Sequence, residues 1–506
     1  MAEDDAQKCF LAARTDGLGE RLRAMINAMI LAEHFGVAFK FQWQERGPNA
    51  QQHHAIVSPK LTFNRGFLSR HFVADIAPED YPPLTGRHQP PAAVRTLLAS
   101  PIKGLTVSQE PIHRLVDLSK LRNLRGQYGQ AFRRIKFTPK VSAAIAAART
   151  ALLPDNCVAI HLRAGDIIYG SFRFASAATT KAVCYPVVKR LIADLIAEGK
   201  YPLIFGQDKI VCRMLADRFQ LRLAADILPH DDILSAAVSE IVLMSRCQEI
   251  HAGSSGFSIL ASQIGNRPLK APTANWTPEQ IVHCIIADDE IDDPSSTLPD
   301  LQRAFAFYMI AHAGIGIVAN TVVIRALARA LHYDKGNPFY ALNKASLEAI
   351  EGDTDSTEAT LKAIVDGEGP AAVFGQTALH QAIRRAVVKR KVTERMAVPA
   401  CLHILARLAT AERPYISYIT ALAAFLAGET AEATRVAAQA AVCDPENPQF
   451  RYLLELCRRT AAATGDTGPV AEPVAEELLI AVQHDGFGKR LKAMLNGVGR
   501  RRLPRT

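Results

Sequence analysis

The sequence predicts an α/β protein with parallel sheets over about the first 290 residues, followed by an all-helical region. Three observations carry this reading. Short apolar runs suited to buried strands alternate with helical patterns, as in Val158–Leu162, 187–197, Pro202–Gly206 and 209–219. An acidic, Pro- and Ser-rich run, DDEIDDPSSTLPD at 288–300, interrupts that alternation and reads as a linker. Beyond it the segments are Ala-rich and lack strand signals.

The first strand is expected at Phe10–Arg14, followed by a turn at Thr15-Asp16-Gly17-Leu18-Gly19. The next helix shows itself through Leu22, Met25, Ile26, Met29 and Ile30, which recur at three- and four-residue steps. Strand, Gly-x-Gly turn and helix together bring backbone N–H groups up to a phosphate or sugar. Arg21 and Arg23 in the first helical turn oppose the helix dipole and call for a reason, whereas Glu20 suits it. Residues 41–60 read as a loop, and a boundary between two sheet domains is expected around 140–156.

The segment Cys157–Asp166, CVAIHLRAGD, is the most informative. Strand alternation puts His161 and Arg163 on one side. Ligands of open α/β sheets bind beyond the carboxyl ends of the strands. A strand ending in His-x-Arg reads either as an anion site, with the arginine fork on phosphate oxygens, or as an internal Arg163–Asp166 pair closing a turn. Tyr169–Thr180 reads as a loop placed to meet an acceptor. A third segment, EIVLMSRCQEIHAGSSGFS at 240–258, predicts a helix end, a short strand at Glu249–Ala252 and a Gly253–Gly256 loop opening another helix. That loop is either an anion cradle or an ordinary cap formed by Ser254 or Ser255.

Gly-x-Gly-x-Arg, then His-x-Arg-x-Gly-Asp, then (Asp/Glu)-x-x-x-Met-Ser-x-Cys ending in Ser-x-Phe-Ser, resembles in order and spacing the fucosyltransferase superfamily over about residues 8–290. The resemblance implies a GT-B-like pair of Rossmann-like domains, 1–150 on the acceptor side and 151–290 binding the nucleotide sugar. It also implies inverting, metal-independent transfer from GDP-fucose, with no cofactor. On this likeness Arg163 binds the donor's β-phosphate and His161 sits against the nucleotide. Glu240 stands where relatives have an aspartate that binds guanine, a difference that leaves other nucleotide sugars open as donor. Ser255, Phe257 and Ser258 match the loop that cradles the pyrophosphate, and Gly17, Gly19 and Arg21 match the opening motif. Glu20 replaces an asparagine and, with Asp16 and Asp166, supplies the candidate carboxylates for a general base. Physically, without a metal, an arginine and helix N-terminal amides must meet the developing diphosphate charge, and each such group is worth ~3–4 kcal/mol of barrier.

Composition fits such an enzyme: 49% hydrophobic and 22% charged residues over 506 positions, enough for about three domains. Nine cysteines without a C-x-x-C pair point to reduced thiols and a cytoplasmic location, with Cys157, Cys212 and Cys247 as core fillers. The polar start MAEDDAQK does not read as a signal peptide, and no histidine spacing suggests a metal site. The net charge is +9, and the last seven residues carry four of the positive charges, 9 − 4 = +5 elsewhere. That basic C-terminus suits peripheral contact with an anionic membrane. Aromatics do not interleave with basic residues, so no nucleic-acid partner is expected.

After the 291–300 linker, region 301–465 is expected to be helical. Residues 414–448 read as one tetratricopeptide-type pair with Tyr418, Ala421 and Ala424 facing Ala433, Ala437 and Ala440, and 338–366 and 374–410 read as degenerate repeats or as a generic bundle. Repeats would offer a face to a protein partner, and a catalytically silent scaffold built on them is the alternative to an enzyme. Finally, Leu478–Asn496 aligns without gaps on Cys9–Asn27 at an offset of 469, with nine of 19 positions identical. Residues 466–506 thus read as the opening of a second, truncated transferase module, poorly ordered by itself.

Overall fold

Strand β1 (Cys9–Ala12) is buried at every position and pairs in parallel with β2 (Ala38–Phe41) on one side and β3 (Gly104–Thr106) on the other. The computed structural model describes residues 8–47, 56–118, 124–174, 177–368, 377–388, 402 and 404–464. Their described parts form two compact units. One takes Met1–Gly165, Lys181–Val183 and Lys189–Ala274; the other takes Asp166–Thr180, Cys184–Val188 and Asn275–Thr506. The 478–496 copy lies outside the described residues, as does most of 389–403.

The first unit holds two parallel sheets. The second sheet runs in the order β5 (Tyr201–Gly206), β4 (Cys157–Leu162), β6 (Ile250–Ala252), β7 (Leu269–Lys270). β4 is buried at all six positions because neighbours cover both edges and helices both faces, which is why it reads as an unbroken apolar run. The longer helices are α1 (Leu18–Phe35), α2 (Pro91–Ala99), α3 (Leu124–Arg134), α4 (Pro139–Thr150), α5 (Tyr185–Ala197), α6 (Lys209–Phe219), α7 (Ile233–Met244) and α8 (Gly256–Gly265). One apolar core runs through both sheets, from Phe10 and Met25 to Phe205, Ile241 and Leu260.

Helix α1 is buried on most of its surface, including Asn27, whose amide donates to the carbonyls of Ser108 (2.9 Å) and Glu110 (2.7 Å) beyond β3. Gly36, at φ 70°, ends it in the left-handed conformation that side chains disfavour. At its start α1 meets the start of α8. A Cβ on Gly19 would lie 2.7 Å from the Gly256 carbonyl carbon and 2.8 Å from the Phe257 nitrogen. The second glycine of the Gly-x-Gly turn is therefore a packing glycine, whereas a Cβ on Gly17 would meet nothing within 4 Å.

Beyond Asn275 the second unit is helical: α9 (Pro278–Ile286), α10 (Asp300–Gly314), α11 (Asn320–Tyr333), α12 (Pro338–Ile350), α13 (Thr354–Gly367), α14 (Ala378–Val388), α15 (Pro414–Ala427), α16 (Thr430–Cys443) and α17 (Pro448–Thr464). Successive helices pack in pairs, α10 on α11, α12 on α13, α15 on α16. The α15–α16 seam is built from small residues, with Ala421, Ala424, Ala433, Ala437 and Ala440 all buried. The Glu358 carboxylate caps α15 by accepting from the amides of Tyr415 (2.7 Å) and Ile416 (3.0 Å). The acidic run is held by hydrogen bonds: buried Arg303 donates to the carbonyls of Asp293, Ser296 and Leu298 at 2.8, 2.7 and 2.9 Å, and Ile291 and Leu298 are buried. Residues 169–180, expected as loop, form a 3-10 turn at Ser171–Phe174 and a short helix beginning at Ala177.

The Gly19 contact is with backbone, which cannot swing aside. Gly19→Ala is expected to destabilise by about 1–3 kcal/mol in chemical denaturation. Gly17→Ser, placed at an N-cap with open space around it, should be neutral or stabilising. Equal losses for the two would contradict the packing described.

Candidate active site

In the second sheet the chain steps from β4 outward to β5, then crosses back to place β6 on the other side of β4. The carboxyl end of β4 is thus a topological switch point, where the connections leave a crevice for ligands. His161 pairs in register with Phe205 on β5 and Ala252 on β6, so Arg163 leaves the sheet beside the loop 253–256. The Gly19–Gly256 contact adds the turn after β1 to the same place. Three segments read from sequence are therefore brought together: the Gly17–Gly19 turn, the His161–Arg163 strand end and the Ser255–Ser258 loop.

Each has a local cause. Ser255 is the N-cap of α8, its Oγ accepting from the Phe257 amide at 3.4 Å. Ser258 is wholly buried and donates to the carbonyls of Ser255 (3.1 Å) and Gly253 (3.4 Å), which holds the loop folded. Cap and cradle are compatible, since one hydroxyl satisfies one of several free amides at the helix start. Phe257 stacks on His161 with ring centroids 5.2 Å apart and planes at 24°. Burial, reinforced by the Arg163 charge, pushes the His161 imidazole down to about 3, so the ring is neutral at physiological pH. Among the described residues nothing hydrogen-bonds to its Nδ1, although the side chain is 6% exposed. Arg163 is half-buried and donates from Nη1 to Gln207 Oε1 at 3.3 Å. Gln207, which sequence reasoning missed, follows β5 on the same sheet edge.

Glu240 sits on α7, half-buried, with its carboxyl pushed up to about 7 by burial. Its charge and that of Asp208, the N-cap of α6, act on the Cys212 thiol, itself pushed up to about 12 mainly by burial. Glu240 therefore faces the β5 side of the sheet, with Cys212 and Asp208. Cys157 and Cys247 are buried with their Sγ atoms 3.7 Å apart.

Two expected site residues have other employment. Arg21 donates to the carbonyls of Asp16 (2.7 Å), Gln44 (2.7 Å) and Thr15 (3.0 Å), and its guanidinium lies 5.1 Å from the centre of the Trp43 ring. It clamps the turn after β1, and those carbonyl dipoles answer the question its place at a helix start raised. Glu20 pairs with Arg23 at 2.6 Å, and Arg23 also donates to Gln263 Oε1 at 3.3 Å. Glu20 lies against Gly256, so its carboxylate belongs to the junction of α1 and α8. Asp166 is buried and opens the stretch assigned to the second unit. Asp16 is paired with Arg14. Among the described residues no group of three His, Cys, Asp or Glu is placed to hold a metal, and no helix is long and apolar enough to cross a membrane.

No protein-family model and no curated protein matches the chain. Among solved structures it aligns with the fucosyltransferase NodZ from Bradyrhizobium at 12% identity and TM-score 0.31, covering 50% of this chain and 92% of that one. It aligns with NodZ α-1,6-fucosyltransferase soaked with GDP-fucose at 14% and 0.29, over 51% and 92%. POFUT1 in complex with GDP-fucose aligns at 8% and 0.30, over 52% and 97%. At these values the likeness assigns no residue a role.

Glu240 gives a pH prediction. Below pH 4.5 its carboxyl is protonated in folded and unfolded chains alike. As pH rises from 4.5 towards 7 the unfolded chain ionises first, so this group lowers stability by up to about 3 kcal/mol. Glu240→Gln should therefore match the parent below pH 4.5 and exceed it above pH 7 in pH-resolved denaturation. A pH-independent difference would contradict a desolvated carboxylate.

Proposed function

We propose that the first unit is a glycosyltransferase of GT-B type that moves a sugar from a nucleoside diphosphate donor, GDP-fucose by the motif resemblance, to a hydroxyl of a glycan, lipid-linked glycan or protein. The observation that supports this most is the arrival of Arg163, the Ser255–Ser258 loop and the starts of α1 and α8 around one switch point. In the reaction the acceptor oxygen bonds to the sugar's anomeric carbon as the bond to the diphosphate breaks, inverting that centre. The electron pair leaves on the diphosphate, where Arg163 and the free amides at the start of α8 would meet the new charge, without calling on a metal. The acceptor proton passes to a carboxylate, with Glu20 the candidate in this unit. Neutral His161 and its stacked Phe257 form a wall on which a ring can rest. Glu240, at the β5 side, would select the base.

The helix pairs of 300–464 read as tetratricopeptide-like repeats, because small residues line the α15–α16 seam. They would present a protein-binding face, and a silent transferase fold serving only that face is the competing reading. Calorimetric titration with GDP, UDP and CDP, without metal and then with magnesium, separates the two. Metal-independent binding of GDP is expected, with Arg163→Ala folding normally while losing binding and about 10²–10³-fold in transfer rate. A folded Arg163→Ala with parental transfer would remove Arg163 from the mechanism, and no binding of any nucleotide would leave the scaffold.

A further inference from the structure

A second feature of the first unit belongs to none of this. Between Asp117 and Asp155 the sequence contains no aspartate or glutamate but eight lysines and arginines. Helix α3, the turn after it and helix α4 bring three of them, Arg133, Lys136 and Arg149, around an open cleft of about 240 Å³. Its floor is apolar: Phe137 pairs with Phe63 in an antiparallel bridge, their rings 5.8 Å apart, and Ile145 lies beside it.

The neighbouring cations are satisfied. Arg134 pairs with Glu33 at 2.8 Å and Lys140 with Asp232 at 2.9 Å. Among the described residues Arg133, Lys136 and Arg149 have no carboxylate and no side-chain hydrogen bond. Asn64 also lines the cleft, and its Oδ1 is taken by the Phe67 amide at 2.8 Å, which leaves it as a donor. Three like charges at one concavity repel one another, and an anion seated among them removes that repulsion. A lining that offers mainly donors suits a group that only accepts, and two guanidinium forks match phosphate oxygens best. The Glu33–Arg134 pair is thirteen residues along α1 from Glu20, about 20 Å of helix, so the cleft is remote from Arg163.

We propose that this cleft binds a phosphate group, carried either by a small phosphorylated molecule or by the headgroup of an anionic lipid. The proposal is independent of the transferase reading. The test uses the full chain, with inorganic phosphate and glycerol 3-phosphate as calorimetric probes and phosphatidylcholine vesicles with and without phosphatidic acid for cosedimentation. Binding is expected to persist in Arg163→Ala and to weaken by about tenfold or more in the triple variant R133Q/K136Q/R149Q. All three side chains are exposed, so that variant should unfold at or above the parental temperature, whereas R133K/R149K should keep most of the binding. Response to the soluble probes assigns a small molecule, and response only to phosphatidic acid vesicles assigns the lipid. Undiminished binding in the triple variant, loss in Arg163→Ala alone, or no binding of any probe by the parent would overturn the proposal.

Discussion

The backbone contact between Gly19 and Gly256 is the constraint on which the rest of the first unit depends. A Cβ on Gly19 would strike the backbone of Gly256 and Phe257, and one on Gly256 would strike the Glu20 side chain, so the two glycines let the starts of α1 and α8 lie against each other. That meeting joins the sheet built on β1 to the sheet built on β4 through one apolar core, and it puts the turn after β1 beside the loop after β6. It also gathers two positive helix ends at one spot, where an anion is favoured and a cation is not. Glu20 answers part of that field from within the protein, held by Arg23.

Buried arginines perform a repeated task in this chain. Arg21 gathers the carbonyls of Thr15, Asp16 and Gln44, and Arg303 gathers those of Asp293, Ser296 and Leu298. In both cases an irregular segment that no ladder can satisfy is ordered by one planar donor group. Arg163 differs in its surroundings: it stands at a strand end on a switch point, where the sheet leaves a crevice. The distinction is one of topology, and residue type alone does not reveal it.

Much of the site was legible because it depends on periodicity and strand order. The run Cys157–Leu162 announced a central strand, and the Gly- and Ser-rich loops announced helix starts; their convergence followed once the sheets were known. What stayed hidden depended on distant partners. The place of Arg21 against the helix dipole demanded compensation, but only the fold shows that carbonyls provide it. The short β2 and β3, at four and three residues, lack a pattern long enough to read. The basic stretch 118–154 is readable in full, yet the net charge hides it, because acidic residues elsewhere cancel most of it.

The central claim is that the convergence organised by Gly19 and Gly256 forms a diphosphate site. A crystal structure of the protein soaked with GDP tests it most directly. The account predicts the diphosphate between Arg163 and the Gly256 amide at the start of α8, with the base towards Glu240. A diphosphate bound elsewhere on the chain, with the Arg163 crevice unchanged, would contradict it.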